Sequence, residues 1–225
     1  MKHLLWAACI MSGLVACTSN NKQPDKDIET NAPSPAKDQA AVKRKTIVFF
    51  GNSLTAAYQL SPEQGFTAII QRKIDSLGLP YACVNAGLSG ETTTDGVNRI
   101  DWVLQQPIDI FVLELGANDA LRGLPVERSK QNLQTIIDRV KQQYPSAKIV
   151  LAGMEAPPNL GNVYTKAFHD IYPALAKTNN AVLIQFLLKD VGGIPALNIE
   201  DGIHPNPEGQ KIVAETVWAI IKPIL

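Results

Sequence analysis

Apolar and polar positions along this chain fall into two alternating rhythms. Thr46 to Phe50 is a largely apolar run of the kind that makes a short buried strand, and it stops at Gly51, which tolerates a sharp turn into a helix. From Glu63 to Leu77 the period changes. Phe66, Ile69, Ile70, Ile74 and Leu77 share one helical face, and Gly78 suits the position just past a helix end. Tyr81 to Ala86 reads as a second strand. Thr93 to Gln106 is a helix with Val97, Ile100, Val103 and Leu104 inward. Asp109 to Leu115 is a third strand, apolar on both faces apart from Glu114. Pro125 to Tyr144 is a long helix with Pro125 in its first turn and Leu133, Ile136, Ile137 and Val140 as its stripe. Ala147 to Gly153 is a fourth strand. Tyr164 to Thr178 is helical, with Pro173 kinking or interrupting it. Ala181 to Leu187 contains a fifth strand. Pro207 to Ile224 closes the chain, with Ile212, Val213, Thr216, Val217 and Ile220 on one face.

Strands alternating with helices in this way predict the α/β class: a five-stranded parallel sheet with helices on both faces, formed by one domain over 46–225. Two segments fall at the rim of such a sheet. Ala120 to Gly123 reads as a mobile loop, and Met154 to Gly161, with Pro157-Pro158, as a second rim segment.

The first residues break this rhythm. Lys2 and His3 precede an apolar stretch, Leu4 to Ala16, too short to span a bilayer and the right length for a signal peptide over 1–16. It ends in Leu14-Val15-Ala16-Cys17, which resembles the bacterial lipobox. That resemblance implies a diacylglycerol on Cys17, anchoring to a membrane, and a place in the bacterial cell envelope: in a Gram-negative cell, the periplasmic face or the outer membrane. A plain signal peptide with an incidental cysteine is the alternative. Thr18 to Lys45 is rich in Asn, Lys, Asp and Pro and buries no core, so it reads as a disordered tether of on the order of 30 Å. Removal of Cys9 with the signal and lipidation of Cys17 leave Cys83 with no disulfide partner.

Composition narrows the partners. Lys plus Arg number 21 and Asp plus Glu number 21, so net charge is zero. With no basic stripe and no zinc-like cysteine cluster, nucleic acid is not an expected partner.

Candidate chemistry sits where the strands end. Ser53 follows the first, Asn85-Ala86-Gly87-Leu88-Ser89-Gly90 the second, and Gly116-Ala117-Asn118-Asp119 the third. Asp201-Gly202-Ile203-His204-Pro205-Asn206 precedes the last helix. A parallel sheet brings such loops to one edge. A serine hydroxyl needs a base to become a nucleophile, and histidine is the usual base near neutral pH. After signal removal the histidines are His169, inside a helical pattern, and His204, in a loop three residues after Asp201. Asp201 can orient the imidazole and support its cation. Each feature alone has a plainer reading: Ser53 as a helix cap, Asp201 and His204 as a turn, Asn118-Asp119 as a turn. Gly87 offers a backbone N–H that no Cβ shields, and Asn118 a side-chain amide. With the Ser53 N–H they would make three donors for an oxyanion. Glu114 is either satisfied by buried donors or protonated.

Gly51-Asn52-Ser53-Leu54, Gly87, Gly116-Ala117-Asn118-Asp119 and Asp201-Gly202-Ile203-His204-Pro205 resemble, in order and spacing, the signature blocks of the SGNH (GDSL) hydrolases. Leu113 to Gly123 is most similar to the bacterial arylesterase, lysophospholipase and acyl-thioesterase branch. The resemblance implies a flavodoxin-like three-layer sandwich. It implies Ser53 as nucleophile, His204 as base, Asp201 as its support, the Ser53 N–H, the Gly87 N–H and the Asn118 amide as oxyanion hole, and no cofactor or metal. Asn52 stands where the family usually has Asp. The implied activity is hydrolysis of aryl, short-chain acyl or lysophospholipid esters, or thioesters, through an acyl-enzyme. The alternatives are a carbohydrate O-deacetylase and a non-catalytic binding lipoprotein.

Overall fold

A computed structural model describes residues 44–225; the expected signal peptide, the lipidated Cys17 and the tether up to Lys43 lie outside the described residues. Five strands form one sheet: β1 (Lys45–Gly51), β2 (Tyr81–Gly87), β3 (Ile110–Glu114), β4 (Lys148–Ala152) and β5 (Val182–Ile184). All pair in parallel, in the order β2-β1-β3-β4-β5. The helices are α1 (Phe66–Ser76), α2 (Thr93–Val103), α3 (Ala117–Leu121), α4 (Val126–Gln143), α5 (Asn162–His169), α6 (Ile171–Asn179) and α7 (Pro207–Ile221). One layer packs α1 on α7; the other packs α2, α4, α5 and α6. Among the described residues no helix is long and apolar enough to cross a membrane.

Burial follows strand position. The central strand β3 is buried at every residue, and β1 from Ile47 to Gly51, because helices cover both of their faces. The edge strand β2 is mostly half-buried, which leaves Cys83 half-buried with burial pushing its thiol up to about 12. That thiol stays protonated and inert.

Several boundaries differ from the periodic pattern; β1, for one, takes in Lys45, expected to be the end of the tether. Helix α1 begins at Phe66, because Pro62–Gln64 forms a separate 3₁₀ turn. The helix expected over Tyr164 to Thr178 is two helices that meet at Asp170, three residues before Pro173. Proline lacks the N–H that would reach the His169 carbonyl, and its ring crowds that oxygen, so the break falls there. The segment expected to be a mobile loop, Ala120 to Gly123, is partly the end of α3, with Ala120 fully buried.

Chain order reverses across the sheet between β1 and β3. From β1 the chain crosses to β2 on one side, then returns past β1 to place β3 on the other. The carboxyl ends of β1 and β3 therefore flank the crevice where open α/β sheets bind ligands.

Candidate active site

Ser53 lies just past the end of β1. Gly51 is required there: a Cβ would sit 2.4 Å from Glu114 Oε2 and 2.2 Å from Thr55 Oγ1. That close approach lets Glu114, at the end of β3, collect three donors from the turn. They are the Asn52 N–H at 3.1 Å, the Asn52 amide at 2.9 Å and the Thr55 hydroxyl at 2.9 Å. Asn52 Oδ1 accepts in turn from the Leu54 N–H at 3.0 Å. Glu114 is 1% exposed, and burial pushes its carboxyl up to about 7 against the pull of those donors. The Ser53 turn is thus tied by the Glu114 side chain to the neighbouring strand.

His204 arrives on a loop fixed at both ends. The Ile199 N–H donates to the His204 carbonyl at 2.9 Å, and the Asn206 N–H to the Leu197 carbonyl at 2.9 Å. Asn206 caps α7 by accepting from the Glu208 and Gly209 N–H groups, and Pro207 takes the first helical position. Asp201 Oδ1 accepts from the Ile203 and His204 N–H groups at 3.0 and 3.1 Å. Its Oδ2 lies 2.6 Å from His204 Nδ1, and His204 Nε2 lies 2.7 Å from Ser53 Oγ. Partial burial pushes the Asp201 carboxyl up, but the bonds from the imidazole and the two N–H groups outweigh it and hold it below the usual range. With its proton on Nδ1, the imidazole donates to Asp201 and accepts from the Ser53 hydroxyl. A proton can leave Ser53 along this line while the carboxylate supports the cation that forms.

Asn118 sits in α3, after β3, and lines the same cavity as Ser53. One of its amide hydrogens goes to the Glu91 carbonyl at 2.8 Å, which orients the side chain and leaves the second hydrogen for a ligand. Its neighbour Asp119 is fully buried and accepts from the Thr93 N–H, the Thr93 hydroxyl and the Ser129 hydroxyl at 2.8, 2.6 and 3.1 Å. Asp119 therefore joins α3 to the starts of α2 and α4 and keeps Asn118 in register.

Gly87 does not reach this place. Its N–H donates to Asn85 Oδ1 at 2.9 Å, and its Cα faces the Ala56 backbone, where a Cβ would lie 2.4 Å from nitrogen. Gly90 lines the cavity instead, at φ +85° with open space above its Cα. Among the described residues no acceptor takes the N–H of Gly90 or of Ser53. The loop is held by Arg99, whose guanidinium bonds the Ala86 carbonyl at 3.0 Å and pairs with Glu91 at 2.5 Å. Arg122 bonds the Gly90 carbonyl at 2.9 Å. The β2 strand runs to Gly87, so the exposed N–H falls three residues later than strand-end reasoning places it. The signal available in the sequence was the second glycine of the same stretch.

The cavity beside Ser53 has a volume of about 710 Å³. Leu121, Met154, Ala156, Pro157, Phe186 and Leu188 make much of its wall apolar. Tyr58 and Glu155 also line it, and neither stood out in the sequence. His169 is exposed, with Nδ1 2.6 Å from Glu155 Oε1, and does not touch Ser53. Among the described residues no group of three or more His, Cys, Asp or Glu side chains is arranged to hold a metal ion.

Residues 49–212 match the GDSL-like lipase/acylhydrolase family. The chain belongs to that family. It is 36% identical over 188 residues to esterase TesA of Pseudomonas aeruginosa, covering 83% of this chain and 92% of that one. It is 34% identical over 186 residues to the thioesterase 1/protease 1/lysophospholipase L1 of Escherichia coli K12, covering 82% and 87%. A crystal structure of TesA superposes with a TM-score of 0.76 at 36% identity, covering 80% of this chain and all of that one. The five-stranded parallel sheet with its surrounding helices is the fold of this family.

Proposed function

We propose that Ser53 is the nucleophile of a carboxylic-ester hydrolase, with His204 as its base and Asp201 as the support of the base. The chain is a serine hydrolase of its family, acting on small ester or lipid substrates. The observation that carries the residue roles is the unbroken line from Asp201 Oδ2 to His204 at 2.6 Å and from His204 to Ser53 Oγ at 2.7 Å, opening on an apolar cavity.

The chemistry follows from that line. Ser53 Oγ attacks the ester carbonyl carbon as its proton passes to His204 Nε2. The tetrahedral oxyanion is met by the Ser53 N–H, the Gly90 N–H and the free hydrogen of the Asn118 amide. Collapse expels the alcohol, which takes the proton from His204, and leaves an acyl group on Ser53. Water then attacks the acyl-enzyme by the same proton route and frees the acid. The apolar wall suits an acyl chain or aryl group better than an acetylated sugar, whose hydroxyls would lose water there without partners.

Cys17 would carry the lipid anchor that holds this domain at a bacterial envelope membrane, a reading supported by the lipobox-like sequence before it. Cys17→Ser should move the protein from membrane to soluble fractions.

Turnover of p-nitrophenyl esters without added metal tests the mechanism. Ser53→Ala should abolish fluorophosphonate labelling and leave a trace of turnover, and His204→Ala should be nearly inactive while His169→Ala keeps most of its rate. Comparable losses in both histidine variants would show that the base is misplaced.

A further inference from the structure

Glu155 brings a carboxylate to a cavity whose wall is largely apolar. Asp201 and His204, the other charge-bearing groups of the lining, are bonded to each other. Glu155 lies on the segment after β4, its side chain 39% exposed at the mouth, while Met154 beside it is buried. His169 Nδ1, 2.6 Å from Oε1, fixes the position of the carboxylate. No lysine or arginine among the described residues pairs with it; the nearby Lys166 is bonded to Asp170 at 2.6 Å. At pH 8 the neutral imidazole of His169 leaves this carboxylate its charge, and the Arg122 guanidinium on the Gly90 carbonyl is the cation beside the same lining.

We propose that Glu155 sorts substrates by the charge of the alcohol they release, disfavouring esters of anionic alcohols and favouring neutral or cationic ones. This rests on the esterase reading above. An apolar acyl chain takes the apolar wall, so the alcohol portion stays at the solvent mouth, where Glu155 stands. Two unit charges a few ångströms apart near a protein surface interact strongly enough to shift specificity, and salt screens them.

Three oxygen esters sharing a butyryl group test it on the full chain at pH 8: butyrylcholine, 2-hydroxyethyl butyrate and 2-(butyryloxy)ethanesulfonate, followed by acid release. At low ionic strength kcat/KM should be about tenfold higher for the choline ester than for the sulfonate, with the neutral ester between, and added salt should shrink the ratio. Glu155→Gln keeps the shape and should bring the ratio to within about twofold. An unchanged ratio in Glu155→Gln, or no preference in the parent chain, overturns the inference while turnover of the neutral ester leaves the esterase reading standing. No turnover of any of the three overturns the inference, and loss of p-nitrophenyl ester turnover as well overturns the esterase reading.

Discussion

The ring of Tyr58 packs against the imidazole of His204, with centroids 4.7 Å apart and planes inclined by 42°. Two residues in the left-handed region flank it, Ala57 at φ +55° and Gln59 at φ +59°. Non-glycine residues in that region cost on the order of 1–3 kcal/mol each, and such strain gathers at functional sites. The backbone after Ser53 is bent at a cost, and the bend lays an aromatic face on His204. An aromatic ring packed on a cationic group contributes on the order of 0.5–1 kcal/mol, and the proposed base becomes cationic only during proton transfer. Tyr58→Leu should therefore lower kcat about three- to fivefold with little change in KM. Tyr58→Phe keeps the face and should restore the rate; steady-state kinetics of both variants check this. An equal loss in Phe would assign the effect to the hydroxyl.

Glu114 predicts how stability responds to pH. Its carboxyl is raised from 4.5 to about 7 in the folded chain. A raised carboxyl binds its proton more tightly when folded, so its contribution is fully present below the unfolded value and is lost as pH climbs through about 7. The loss between pH 4.5 and 8 is on the order of 3 kcal/mol. Urea unfolding should show Glu114→Gln with a flatter pH dependence than the parent over that window. Asn52→Asp replaces a donor with a second carboxylate against Glu114. It should steepen the alkaline loss, and pairing it with Glu114→Gln should recover part of it.

Gly87 and Gly90 separate by the kind of damage an alanine does. At Gly87 a Cβ would lie 2.4 Å from the Ala56 nitrogen and 2.8 Å from the Thr55 carbonyl carbon, so backbone must move. Gly87→Ala should lower the melting temperature by several degrees, on the order of 2 kcal/mol. Gly90 has open space but φ +85°, so Gly90→Ala meets little steric resistance and is strained toward another φ. It should turn the oxyanion donor away and lower kcat about tenfold or more. Thermal melts and kcat measured together check the pair, and the reverse pattern would return the oxyanion role to Gly87.

Asn118 gives the sharpest kinetic signature. Its amide is pre-oriented by the Glu91 carbonyl at 2.8 Å, so the proposed oxyanion donor needs no rearrangement. Asn118→Ala should lower kcat by about 10²–10³ with little change in KM. Asn118→Asp keeps the size but puts negative charge where negative charge develops, and should be at least as damaging. A rise in KM alone would make Asn118 a binding residue.

Periodicity alone determined the elements: the apolar runs before Gly51 and through Leu113, and the stripe Leu133, Ile136, Ile137 and Val140, each require burial at one spacing, and only strand or helix supplies it. Alternation of the two then leaves a parallel sheet as the packing that covers both strand faces. The residue types around Ser53, Asp201 and His204 were legible for a similar reason, since a serine, a base and an acid in loops at strand ends carry their chemistry in their identity. What the sequence left open depends on which atoms meet across large separations. Gly87 and Gly90 are alike as letters; only the run of β2 to Gly87, and an Asn85 side chain that claims the Gly87 N–H, decide which one faces the cavity. Glu114 was an unexplained charge until β3 was set beside the turn of Asn52 and Thr55, and Glu155 and Tyr58 acquired a role only when the cavity closed around them. A hydrogen bond or a ring contact is a relation of position, and position at 62 or 151 residues' separation is fixed by packing rather than by any local pattern.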